Sequence, residues 1–286
     1  MDFSEQSLIS LSQSYNLARE YDAEILLLHV IEDGGLLPKL ITAKQLADIK
    51  KDIQKKLDKL AEETTKKSKI AVDTMIAKGK VYEKIIEVAD MVGALMIIMG
   101  SNSQKKLRIR FIGSNALRVV RESNCPVITI KGKHHREGCK NIILPLDLTK
   151  ETREKVSHAI EMARLGSFRS AIRIVSVLPS SDEFLVNKLT RQIDQVKAFI
   201  QKQGIESSAE IIKIKKGKAS LAQCILDYAE KAQGDLIIIM TQQEANFTRL
   251  FIGSTAQEIV NNSDIPVMSI IPQMKKYQTA EEAASY

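Results

Sequence analysis

The chain has 286 residues, 44% of them hydrophobic and 27% charged, with a formal net charge of +7. That length predicts about two domains, each large enough to bury a core. The balance is that of an ordinary globular protein, and no apolar run nears the roughly 20 residues that a bilayer span needs, so no membrane association is expected.

The opening segment MDFSEQS has neither a basic nor an apolar leader region, which predicts no signal peptide. Cys125, Cys139 and Cys224 are scattered. They form neither a disulfide framework nor a metal spacing, and they suit a reducing, cytoplasmic compartment. The four histidines are equally scattered, and His134-His135 falls in a basic connecting stretch. The positive charge is compatible with an anionic ligand such as a nucleotide. There is no tryptophan and no aromatic-and-basic platform, so neither DNA nor RNA is expected as a partner.

Along the chain, a helix is predicted over 4–21 and an apolar strand over 24–30 (EILLLHV). Helix 43–66 follows, with lysines interleaved with acids in the manner of a solvated face. Gly79 marks a turn before helix 81–92, and strand 94–99 (ALMIIM) comes next. Gly113-Ser114-Asn115 then opens a helix that leads to strand 126–130 (PVITI). A basic linker, 132–140, separates the halves. The second half brings strand 141–146 (NIILPL), helix 150–165, strand 171–177, helix 183–203 and a turn at Gly217. Helix 219–233, strand 235–240 and strand 266–271 follow, before a polar tail at 273–286. Strands apolar on both faces and alternating with helices point to parallel sheets covered on both sides.

The halves are copies of one another. Residues 111–130 (FIGSNALRVVRESNCPVITI) and 251–270 (FIGSTAQEIVNNSDIPVMSI) agree at 10 of 20 positions. The expected domains are therefore 1–131 and 141–272. They differ at their start. Asn141–Leu146 leads into Asp147, whereas the first copy begins at Met1-Asp2, so its first strand is missing. Three explanations are open: a polypeptide that begins upstream, which is favoured; a strand borrowed from a partner; or a sheet one strand short, with an unstable or swapped domain.

In an open parallel sheet, ligands bind beyond the carboxyl ends of the strands. There the first copy has Gly100-Ser101-Asn102-Ser103, a loop carrying Lys105, Lys106, Arg108 and Arg110, and then Gly113-Ser114 at a helix start. Glycines let backbone approach a phosphate, and the unpaired N–H groups of a helix start bind anions. The structural alternative is equally open: Gly113 closes a turn, Ser114 caps the helix and the basic loop is solvated. There is no GxxxxGK[ST], no GxSxG and no GxGxxG, which excludes a P-loop ATPase, a serine-hydrolase elbow and a standard dinucleotide fold.

The Asp after the first strand, the LLHV strand, the Gly-Ser helix start and the CPV strand together resemble the universal stress protein family, over essentially the whole chain and as two tandem copies. The resemblance implies an α/β fold of two tandem doubly wound parallel-sheet domains, of the adenine nucleotide alpha hydrolase-like kind. It implies an intramolecular pseudo-dimer joined through 126–130 and 266–271, with a homodimer of chains possible on top. The nucleotide-binding branch of that family has Gly, two residues, Gly, nine residues, then Gly followed by Ser or Thr. The first copy matches that spacing with Gly100, Ser103 in place of the second glycine, and Gly113-Ser114. The second copy keeps only Gly253-Ser254, with Met240 and Gln243 at the other glycine positions and Glu244 and Arg249 in its loop. By the same resemblance Asp2 and Val30, and Asp147 and Val177, line the two adenosine pockets; a helix cap is the other reading of Asp147. The expected function is a non-enzymatic stress-response module holding ATP, AMP or another adenine nucleotide in its first copy. The alternatives are an interaction protein with vestigial pockets and, least favoured, a slow ATPase.

Overall fold

The computed structural model describes residues 1–32, 42–101, 113–131, 139–147, 152–165, 169–179, 182–214, 219–243 and 250–271. The first repeat contains α1 (Glu5–Glu20), β1 (Ile25–Ile31), α2 (Ala43–Ser68), β2 (Val72–Lys78), α3 (Val81–Met91), β3 (Ile97–Gly100), α4 (Ser114–Glu122) and β4 (Val127–Ile130). The second contains β5 (Asn141–Pro145), α5 (Thr152–Arg164), β6 (Ala171–Leu178), α6 (Glu183–Lys202), β7 (Glu206–Lys213), α7 (Leu221–Lys231), β8 (Leu236–Met240), β9 (Gln242–Gln243), β10 (Leu250–Phe251), α8 (Ser254–Asn262) and β11 (Val267–Ile270). The alternation of strands and helices is the one predicted, with β2, β7, β9 and β10 added.

Seven strands form one sheet in the order β3-β4-β11-β8-β5-β6-β7. All neighbours in it are parallel except β4 and β11, which pair antiparallel with Met268 opposite Ile128. The pairing of 126–130 with 266–271 is thus present, and it fuses the repeats into one sheet. Helices cover both faces. On one, α1 and α5 lie over a core that includes Ile128, Ile130, Leu144, Ile172 and Met268. On the other, α4 and α8 cross the junction, so that Ile252 of the second repeat packs with Val119, Val120 and Val127 of the first.

The two repeats are not equally complete. In the second, β5 lies between β8 and β6. Its Ile142, Ile143 and Leu144 are fully buried, a burial worth roughly 1.5–3 kcal/mol per side chain. Among the described residues the first repeat shows no counterpart of β5. Strands β1 and β2 form a two-stranded parallel sheet of their own, separate from β3 and β4. They carry a small core of Leu11, Leu27, Leu57 and Ala61. The consequence is visible in the strands themselves: β8 is buried throughout, whereas its counterpart β3 is only half-buried.

Chain ends confirm the correspondence in detail. The repeats align Met1 with Leu146, Leu28 with Val175 and His29 with Ser176. Leu146 donates its N–H to Val175 O at 2.8 Å, and Ser176 Oγ donates to Leu146 O at 2.6 Å. In the first repeat the Met1 amino group donates to Leu28 O, and His29 Nδ1 lies 2.5 Å from Met1 O. Met1-Asp2 therefore occupies the place of Leu146-Asp147, as the sequence alignment expects.

Gly234 shows how tightly β5 is held. A Cβ there would meet Ile143 Cγ1 at 2.5 Å and Ala229 O at 3.1 Å. Ala94 occupies the matching position in the first repeat, where no β5 presses on it. Gly234→Ala is expected to destabilise the protein by about 1–3 kcal/mol, read as a lower urea midpoint with an unchanged m-value. An unchanged midpoint would contradict this packing.

Candidate functional site

Val30, Gly100, Asp147 and Val177 lie at or just beyond the carboxyl ends of β1, β3, β5 and β6, where a doubly wound sheet presents its crevice. Gly100 ends β3, Val30 is the penultimate residue of β1, and Val177 that of β6. Gly113 and Gly253 precede α4 and α8. Ser103 and the basic loop Lys105–Arg110 lie outside the described residues, as do Glu244, Arg249, Gly217, His134 and His135.

The two helix starts match. Gly113 and Gly253 are N-caps of extended conformation (φ −59°, ψ 144° and φ −54°, ψ 149°), and neither helix receives a side-chain cap. Ser114 and Ser254 are exposed and Asn115 is half-buried. Serine is thus the first helical residue and not the cap that the structural alternative required. Among the described residues no side chain caps the first N–H groups of either helix, and the helix dipole adds partial positive charge there. Beside them Ser101 and Thr241 are buried, donating backbone N–H groups to Ile130 O and Ile270 O, each at 2.9 Å.

The rest of the site differs between repeats. In the second, Asp147 and Val177 share one continuous sheet edge with Thr241, because β5 pairs with both β6 and β8. Asp147 is exposed and Val177 half-buried. Yet the glycine position there is Met240, which is buried, and the chain after it pairs as the β9–β10 ribbon. In the first repeat the favourable residues are divided. Val30 lies on the two-stranded sheet and Gly100 on the seven-stranded one. The first turn of α1 covers Gly100: a Cβ on Gly100 would lie 2.9 Å from the Gln6 carbonyl carbon and oxygen. Gln6 Oε1 is buried there without a hydrogen-bond partner among the described residues. Sequence reasoning missed this contact, since nothing local pairs Gln6 with Gly100 when a strand is assumed between them.

Asp2 is engaged in its own turn. Its Oδ1 accepts from Ser4 N at 3.0 Å and Ser4 Oγ at 2.6 Å, and Ser4 in turn caps α1 through Ser7 N. Phe3 between them takes φ +61° and stacks on His29 at 5.7 Å, a conformation costly for a bulky residue. Burial pushes the Asp2 carboxyl upward. The Ser4 hydroxyl and N–H, the Ser7 hydroxyl and the Met1 ammonium outweigh it and hold the group below the usual carboxylate range. Of the cysteines, burial raises Cys125, and burial with the nearby Asp235 pushes Cys139 up to about 12, so both remain protonated and poorly nucleophilic. Among the described residues no cluster of His, Cys, Asp and Glu has the makings of a metal site, and no helix is long and apolar enough to cross a membrane.

The model of the universal stress protein family matches this sequence twice, over residues 1–131 and 138–270. The chain belongs to that family. Universal stress protein MJ0531 of Methanocaldococcus jannaschii is 29% identical over 136 residues, covering 46% of this chain and 78% of that protein. Universal stress protein YxiE of Bacillus subtilis is 25% identical over 140 residues, 46% of this chain and 95% of that protein. Each of these relatives spans about one repeat. A solved universal stress protein from Archaeoglobus fulgidus matches the tandem form, with a TM-score of 0.77 at 18% identity over 95% of this chain and 96% of that one. The fold is therefore the tandem doubly wound α/β fold that the sequence implied.

A carboxyl depressed in the folded state stabilises above its unfolded pKa of about 3.9, and that contribution is lost as pH falls through the folded value. Asp2→Asn is accordingly expected to lower stability near neutral pH and to make little difference near pH 2, measured by urea unfolding at both. An equal loss at both pH values would show that the Asp2 carboxylate does not act through its charge.

Proposed function

We propose that this chain is a nucleotide-holding universal stress protein that binds ATP, AMP or a related adenine nucleotide at the first repeat, without catalysis. The observation that carries the reading is the bare start of α4. Among the described residues no side chain caps the first N–H groups after Gly113, and the adjoining sequence supplies Gly100, Ser103 and four basic residues. In this reading the phosphates lie at Gly113, Ser114 and Asn115, where backbone donors and the helix dipole favour anions. Val30 lines the adenosine and Asp2 accepts from it. Asp147, Val177, Gly253 and Ser254 form the second, weaker pocket. We further propose that the working units are 1–131 and 141–272, joined as a pseudo-dimer in the cytoplasm, and that two chains associate as a homodimer.

A second reading has specific support. Gln6 lies on Gly100, and Met240 replaces the matching glycine of the second repeat. Both favour an interaction protein with vestigial pockets. The slow ATPase remains the least supported alternative.

Bound ligand stabilises the native state by mass action, by about 2.7 kcal/mol at a hundredfold excess over Kd. Millimolar ATP or AMP is expected to raise the melting temperature of the chain. The φ of −59° at Gly113 admits valine, so Gly113→Val is expected to fold and to lose that rise, its side chain blocking the approach to the helix start. No rise with either nucleotide, or an undiminished rise in Gly113→Val, would overturn the assignment and favour the interaction protein.

A further inference from the structure

In the second repeat α6 has two unlike sides. Its inner side buries Leu189, Ile193 and Ile200 in the core, which fixes the rotation of the helix about its axis. Asp182 caps its start, accepting from Phe184 N at 2.8 Å, so the first turn is held as well. At about 100° per residue, Phe184, Lys188, Arg191, Gln195, Phe199 and Lys202 then fall within about 80° of one another on the outer side. All six are exposed.

Phe184 is 74% exposed and Phe199 50%, and at 1.5 Å per residue they stand about 22 Å apart along the axis. Lys188, Arg191 and Lys202 have no ion-pair or hydrogen-bond partner among the described residues. The acids Glu183 and Asp194 lie roughly 100° or more from the centre of the stripe. The fold does not require such a surface. Setting the buried Leu57 and Thr64 of α2 against Ile193 and Ile200 of α6 brings Asp48, Asp52 and Glu63 opposite Phe184, Lys188 and Phe199. The first repeat thus covers the same helix with a mixed-charge face, and the second with aromatic rings and unopposed cations.

The distribution of charge decides what covers the stripe. Protein interfaces hold their apolar hot spot at the centre and their charge at the rim. Here the charge is central and the rings stand at two separate places. A helix ridge is also convex, unlike the grooves that receive peptides or single-stranded nucleic acid. α6 packs on β7, the edge strand of the seven-stranded sheet, so the ridge runs along the rim of the molecule. Rings that insert one by one, cations that need no directional partner and a straight ridge match an anionic lipid surface. Attachment to a surface needs no membrane span.

We propose that the outer face of α6 docks the chain, peripherally and reversibly, on an anionic lipid bilayer. Phe184 and Phe199 enter the boundary between headgroups and acyl chains, and Lys188, Arg191 and Lys202 lie among the phosphates. The sheet already holds the helix, so docking carries no cost of ordering it. The net charge of +7 draws the chain toward such a surface.

The chain has no tryptophan, so Phe184→Trp and Phe199→Trp each place a single reporter on the stripe. The probes are vesicles of phosphatidylcholine and vesicles of equal parts phosphatidylcholine and phosphatidylglycerol, added to the full chain. No nucleotide is present, so the outcome is independent of the nucleotide reading. The expected result is sedimentation with the anionic vesicles alone, with the emission of both tryptophans shifted to the blue. Replacing Lys188, Arg191 and Lys202 together by glutamine is expected to weaken that binding about a hundredfold. The matching change on α2, Lys55→Gln with Lys59→Gln and Lys66→Gln, removes the same net charge and is expected to weaken it far less. All these positions are exposed, and an unchanged melting temperature checks that each variant folds. Binding that leaves both tryptophans unshifted, or that falls equally in the two charge variants, reflects net charge alone and overturns the proposal. Binding to neither vesicle also overturns it and leaves the stripe to an acidic protein partner.

Discussion

Everything in this molecule depends on the antiparallel pairing of β4 with β11. Each is the last strand of its repeat and would otherwise be an unpaired apolar edge, the condition that leads to uncontrolled association. Paired with each other, they cover both edges at once and are buried throughout. The pairing also forces α4 and α8 to cross the junction, so that Ala116 of α4 enters a core otherwise built from the second repeat. Because these same helices carry the candidate anion sites at their first turns, the junction places both sites. Lys131 Nζ donates to Asn261 O across it, and Thr129 Oγ1 donates to Val267 O at 3.4 Å. Polar ties of this kind fix register where apolar packing alone tolerates slippage.

Much of this was legible in the sequence because the signals are local and were written twice. Runs such as ALMIIM and DLIIIM are apolar on both faces, as central parallel strands must be. The matched Gly-Ser pairs announced two helix starts, and the matched PVITI and PVMSI announced two strands. The difference between the two repeats at Met1-Asp2 and Leu146-Asp147 was also legible. Its structural consequence was not. That the sheet divides between β1 and β3, and that Gln6 comes to rest on Gly100, follows from packing across the missing place, which no local pattern encodes.

The candidate site was read less completely for the same reason. Sequence identifies which residues end strands and open helices, and so Gly100, Val30 and Val177 were placed at strand ends and Gly113 at a helix start. It does not say whether those strands adjoin. The first repeat has the better motif on a divided sheet, while the second has a continuous sheet edge with Met240 where the motif wants glycine. Cys139 illustrates the complementary case, an apparently incidental thiol that turns out to be half-buried near Asp235, where the first strand of the second repeat begins.

The central claim is that the junction makes the seven-stranded sheet one cooperative unit from which β1, β2 and α2 stand apart on their own small core. Native-state amide exchange across increasing urea tests it most directly. The account predicts that amides of β1 and β2 exchange through an opening of lower free energy, while those of β4, β8 and β11 exchange together at the highest. A single common opening free energy for all five strands would contradict it, and so would separate openings for β4 and β11.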